Sequence, residues 1–190
     1  MIETLTTAMG LGLGAGINSY ATLLVFGLLS RFSPSLFDSD LATFFGSTPV
    51  LITLGVMYCI EFLADKIPAV DHAWDAIHTF VRPVAGALVA FASITPEMPQ
   101  GFVILATVVG GSAALGSHAL KSSVRGVSTV TTAGTANPFL SVLEDVFAIV
   151  QTFLAVLLPW IFLAVLAISL GVVLAWFVGR RTFGTRKGHA

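Results

Sequence analysis

From Phe153 to Val178 the chain reads FLAVLLPWIFLAVLAISLGVVLAWFV, 26 residues without a charged side chain. About 20 such residues are enough to cross the hydrocarbon core of a bilayer. The block is too long for one span, and Pro159 interrupts it by removing a backbone donor. It reads as two helices joined by a tight turn, or as one kinked helix. Only 10% of the 190 residues are charged, against about 25% in soluble domains. With a mean hydropathy of +0.94, most of the surface must face something other than water.

These features define an all-α, polytopic membrane helical bundle in a single domain over 1–190. The apolar segments place six transmembrane helices near 4–30, 48–67, 83–96, 101–122, 138–158 and 159–179. No Lys or Arg precedes the first apolar run, so the first helix is expected to be retained instead of cleaved as a signal peptide. With six spans, one side carries Lys66, Arg82, Lys121, Arg125, Arg180, Arg181, Arg186 and Lys187, and the other only Arg31. The positive-inside rule then puts both termini and a basic tail, 180–190, in the cytoplasm. The net charge of −1 gives no footprint for nucleic acid. The single cysteine, Cys59, excludes an intrachain disulfide and reads as packing.

Three spans followed by three would invert a second copy. GLGAGINSYA (12–21) resembles GGSAALGSHA (110–119), STPVLITL (47–54) resembles ANPFLSVL (136–143), and Pro83 and Pro159 each open a third helix. Two inverted three-helix repeats are therefore expected, 4–96 and 101–179, a build that recurs in transporters. The alternating Gly10, Gly12, Gly14 and Gly16 form small-xxx-small pairs for close helix packing, and also permit local unwinding beside Asn18, Ser19 and Tyr20.

The segment EFLADKIPAVDHAWDAIHTFVRP, Glu61 to Pro83, concentrates eight ionisable side chains in this apolar chain. At about 1.5 Å per residue, Glu61 lies roughly 18 Å and Asp65 roughly 24 Å below the start of its helix. The same arithmetic puts His118 about 24 Å along the fourth helix and Glu144 and Asp145 about 9–10 Å into the fifth. A lone charge in the core costs at least ~2.5–3.5 kcal/mol, so these groups must face each other or water. Together with Lys121 they outline a polar cavity for an ion or small polar solute, lined also by Asn18, Ser19 and Tyr20, or else a structural ion-pair network. Four carboxylates against one certain cation leave a negative surplus, most easily removed by proton uptake.

After Pro68 an interfacial amphipathic helix is expected over 70–82, with Asp71, Asp75, His78 and Arg82 on one face and Trp74 in the head-group zone. Asp71, His72, Asp75 and His78 are metal ligands by type, and Asp75 and His78 stand at i, i+3. Yet DHAWDAIH is no established metal motif; capping, pairing with Arg82 and proton handling are the competing readings. No cofactor is expected.

With GINSYATLL upstream and HALKSSVRG and LEDV downstream, the Glu61–Pro83 segment resembles a bacterial integral-membrane family known as domain of unknown function 4126. The residues that carry the resemblance are Asn18, Tyr20, Glu61, Asp65, Lys66, Asp71, His72, Trp74, Asp75, His78, Arg82, Lys121, Arg125, Glu144 and Asp145. The resemblance implies a bacterial inner-membrane protein and supplies no activity. On the residues alone, a transporter or channel-like carrier leads. A membrane-embedded enzyme acting on a lipid head group through Asp75, His78 or His118 lacks a G-x-S-x-G nucleophile motif. A non-catalytic scaffold is the third reading. The partners expected are the lipid bilayer and a second copy of the chain, either of which covers the apolar surface.

Overall fold

The computed structural model describes residues 1–186, with the side chains of all of these except 68, 69, 71, 72 and 179–186. The described chain is helical: α1 (Ile2–Ile17), α2 (Ser19–Phe32), α3 (Asp40–Phe45), α4 (Thr48–Ala64), α5 (Pro68–Ala92), α6 (Gln100–Thr132), α7 (Asn137–Leu157) and α8 (Pro159–Arg186), with a 3-10 turn at Pro34–Leu36. Four stretches are long and apolar enough to cross a membrane: Ala73–Ala92, Gln100–Thr132, Asn137–Leu157 and Pro159–Val178. Two shorter apolar helices, Ser19–Phe32 and Thr48–Ala64, accompany them.

The expected helix at 4–30 does not exist as one span. The chain breaks at Asn18, whose φ of −146° and ψ of 105° are extended. It then doubles back. Thr22 Oγ1 lies 3.5 Å from Thr152 Oγ1, while Gln151, the residue before Thr152, donates from Nε2 to the carbonyl of Gly10 at 2.9 Å. Met1 and Thr4 line the same cleft as Leu36 and Phe37. Two collinear helices of this length would hold those residues roughly 45 Å apart. Residues 2–32 therefore form a helical hairpin that enters the bundle from one end and returns to it.

The remaining helices alternate direction. Arg31 Nη1 donates to Thr48 Oγ1 at 2.7 Å, so α4 starts at the end that holds Met1. Its last turn brings Glu61 to Arg82 of α5. The return of α5 ends where the Ala92 carbonyl accepts from Ser39 Oγ at 2.7 Å. α6 runs the other way, and Asn137 Nδ2, bonded to Thr129 Oγ1 at 2.8 Å, starts α7 back. α7 finishes beside α1, where Thr7 Oγ1 donates to the Ala155 carbonyl at 3.0 Å. α8 packs Phe162 against Gly10 and is exposed along most of its length.

The expected break between an interfacial helix and a third span is also absent. α5 passes unbroken through Pro83. Pro83 deprives the helix of one hydrogen bond, which membrane helices tolerate when neighbours hold both halves. Here α6 does so: Gly86 packs on the Gly110 carbonyl and Ala114, and Thr79 bonds His118. The polar face of α5 turns into the bundle, while Ile77 and Phe80 are exposed.

The inverted repeat is corrected as well. Inversion requires α1 and α6 to be antiparallel. They are parallel: Ser117 Oγ reaches the Leu13 carbonyl at 2.9 Å and Lys121 Nζ the Ile17 carbonyl at 3.0 Å, a constant offset in sequence. Nor does α6, continuous over 33 residues, have the break that α1–α2 has.

Close packing is what the glycines provide. A Cβ on Gly12 would overlap the Gly110 carbonyl, and one on Gly16 the Ala114 carbonyl. Backbone cannot retreat as a side chain can, so Gly12→Val is expected to cost about 3 kcal/mol. Gly116, with open space around it, serves as the control. There, Gly116→Ala should be neutral or stabilising by up to about 1 kcal/mol. Thermal unfolding of both variants in lipid nanodiscs checks the contrast; equal effects would mean α1 and α6 do not touch at Gly12.

Candidate functional site

The hairpin creates the site. Where α1 stops, its last carbonyls have no partner within the helix. Ser19 Oγ takes the Ala15 carbonyl at 2.8 Å, Arg82 Nη1 the Gly16 carbonyl at 2.9 Å, and Lys121 Nζ that of Ile17. Two cations thus sit at the negative end of the α1 dipole. Asn18 caps the start of α2, its Oδ1 accepting from the Ala21 amide at 2.8 Å. Its Nδ2 donates to Asp145 Oδ1 at 2.8 Å, which brings a carboxylate to the positive end of α2. Asp145 lies eight residues into α7, about 12 Å along it, so this junction is well inside the bundle.

Around the tip the charges form two linked groups. In the first, Arg82 Nη2 meets Glu61 Oε1 at 2.9 Å and Asp75 Oδ1 at 3.3 Å, with Arg82 and Glu61 fully buried. Arg82 Nη1 also donates to His118 Nδ1 at 2.9 Å. That bond makes Nδ1 the acceptor and leaves the ring proton on Nε2, which donates to Thr79 Oγ1 at 3.1 Å. In the second, Arg125 Nη2 meets Asp65 Oδ2 at 2.9 Å and pairs closely with Glu144. Lys121 Nζ stands 3.6 Å from Asp65 and 3.5 Å from Glu144. Ser141 Oγ donates to Asp65 at 3.4 Å and receives Lys66 Nζ at 2.7 Å.

Most of the expected site residues converge: Asn18, Glu61, Asp65, His118, Lys121, Glu144 and Asp145 all belong to this network. Ser19 only caps α1. Tyr20 goes elsewhere, its hydroxyl 3.3 Å from His78 Nε2. His78 donates from Nδ1 to the Trp74 carbonyl at 2.8 Å and stacks on the Trp74 ring at 4.8 Å. Both its ring nitrogens are engaged, and Asp75 faces Arg82, so the two do not share an ion in this arrangement. Among the described residues no group of three or more His, Cys, Asp or Glu side chains is arranged to hold a metal ion. The side chains of Asp71 and His72 lie outside the described residues.

Arg82 was expected on an interfacial face and stands at the centre. Arg125 and Lys66, expected in loops, also stand in the network. The clue to Arg125 was spacing: His118, Lys121 and Arg125 lie three and four apart and share one face of α6 once that helix is extended to Thr132. With Arg82, Lys66 and Arg125 included, five carboxylates face four cations among the described residues. The expected surplus of negative charge shrinks to one. Four buried carboxylate oxygens have no hydrogen-bond partner: Glu61 Oε2, Asp65 Oδ1, Asp145 Oδ2 and Asp75 Oδ1, the last in ion-pair contact with Arg82.

No curated protein and no solved structure matches this chain. A family model described as domain of unknown function (DUF4126) matches residues 5–180, which covers both sides of the charged network and the hairpin that organises it. The chain belongs to that family.

Proposed function

We propose that the chain is a small carrier or channel-like protein for a cation or a small polar solute. One observation carries this reading: a hairpin tip deep in the bundle brings two half-helix ends, of opposite dipole, into a buried charged network. Broken helices at such depth form ion and solute sites in transporters, because their end groups supply ligands without a side chain. The residual negative charge and the four carboxylate oxygens without a hydrogen-bond partner favour a positive occupant, a proton included. The basic residues after Val178 follow the apolar part of α8, which leads away from the Met1 end, and they outnumber Arg31, which stands at the Met1 end. The positive-inside rule assigns the more basic end to the cytoplasm of a bacterial inner membrane. The N-terminus then lies outside, in place of the expected cytoplasmic N-terminus, and the basic residues after Val178 favour a cytoplasmic C-terminus.

A sealed scaffold is the second reading, favoured by the close pairing of Arg82 with Glu61 and of Arg125 with Asp65. Charge movement separates the two. Proteoliposomes on a supported membrane, exposed to jumps in proton, sodium or potassium concentration, are expected to give a saturable transient current for at least one ion. Asp145→Asn should reduce it at least tenfold. Currents no larger than those of protein-free liposomes for all three ions would put the scaffold reading ahead.

A further inference from the structure

We infer that the groove between α6 and α7 binds an amphiphilic cation from the bilayer, with its positive head against Glu144 and its apolar part along the groove. The groove encloses about 430 Å³, within the range of small-molecule sites. Leu120 and Val124 of α6 and Leu140, Leu143 and Phe147 of α7 line it, and Leu120, Leu143 and Phe147 are exposed. Its floor reaches Ile17 at the hairpin tip.

Charge decides the sign of the occupant. Of the three charged side chains behind the groove, Lys121 and Arg125 are 2% and 1% exposed, whereas the Glu144 side chain is 16% exposed. An entering molecule therefore meets the carboxylate first. The group directly behind it is balanced, with Asp65, Glu144 and Asp145 against Lys66, Lys121 and Arg125. The one surplus carboxylate among the described residues belongs to the linked Arg82 group, so an added positive charge improves the balance of the whole network and an added negative charge worsens it. The apolar walls require a tail or rings; a bare inorganic cation would leave them without a partner. The inference rests on the carrier reading only in so far as the bound cation is called a substrate; binding itself does not need it.

The probe is radiolabelled tetraphenylphosphonium, a monovalent cation with four apolar rings, added to the full chain in lipid nanodiscs with empty nanodiscs subtracted. Saturable binding is expected. Dodecyltrimethylammonium should displace it, and dodecanol, with the same tail and no charge, should not at equal mole fraction. Glu144→Gln should weaken binding at least tenfold. Because Glu144 also pairs with Arg125, that variant could lose its fold, which its melting temperature will show. Leu143→Trp fills the groove without altering charge and should abolish binding on its own. Absence of saturable binding, equal displacement by dodecanol, or full binding by Leu143→Trp would overturn the inference. Binding without any current in the flux assay would retain the groove and put the scaffold reading ahead of an ion carrier.

Discussion

Arg82→Met is expected to destabilise the protein by about 3–5 kcal/mol, the loss that follows when one partner of a buried ion pair is removed. Arg82 is fully buried and serves four groups: Glu61, Asp75, His118 and the Gly16 carbonyl. Without it, Glu61 must hold an unpaired charge or take up a proton in an interior that offers it no other hydrogen bond, and α1 loses a cation at its carbonyl end. The neutral pair Arg82→Met with Glu61→Gln should recover more than half of the loss, because the charge that lacked a partner is then gone. Unfolding in nanodiscs, followed by tryptophan fluorescence, measures both. A single variant within about 1 kcal/mol of the wild type would mean that the pair is worth no more than a surface ion pair. The network would then be solvated, and its burial overstated.

The contrast between what the sequence shows and what it hides is physical. Apolar length marked α4, α7 and the apolar part of α8, Pro159–Val178, within a few residues, because solvation by lipid depends on composition. Depth arithmetic brought Glu61, Asp65, His118 and Asp145 toward one level, because helix rise is constant. Direction was not legible. The run at 4–30 is long enough for one span, and nothing in its hydropathy distinguishes a crossing from a hairpin. The turn rests on one extended residue, Asn18, and on its bonds to Ala21 and Asp145. The second of these is a contact 127 residues away in sequence. Pro83 misled in the opposite sense. A proline usually starts or ends a helix, but packing of Gly86 and Thr79 on α6 holds α5 together across it. Arg82 then moved from a water-facing surface to the centre, since its helix is unbroken at Pro83 and turns that face into the bundle.

The reversal at Asn18 has a large and simple consequence for sidedness. If residues 4–30 crossed the membrane, Glu3 and the turn between α6 and α7 would lie on the same side. With a hairpin they are expected on opposite sides: α1 and α2 return the chain to its starting end, and α4, α5 and α6 then run alternately between the two ends of the bundle. Thr135 is an exposed residue of that turn, and Glu3 is exposed near the other end. Single cysteines at these positions, Glu3→Cys and Thr135→Cys, in a Cys59→Ser background, report the geometry directly. A membrane-impermeant maleimide added to intact cells should label Glu3→Cys and leave Thr135→Cys untouched until the membrane is opened. The expected difference in labelling is at least tenfold, since the barrier is the bilayer itself. Labelling of Thr135→Cys alone would keep the hairpin and reverse the orientation, so that the basic end faces outward against the positive-inside rule. Equal protection or equal labelling of both would restore a single span at 4–30. In that case Asn18 would no longer mark a tip, the carbonyls of α1 would not be free to meet Arg82 and Lys121, and the carrier reading would lose the observation on which it stands.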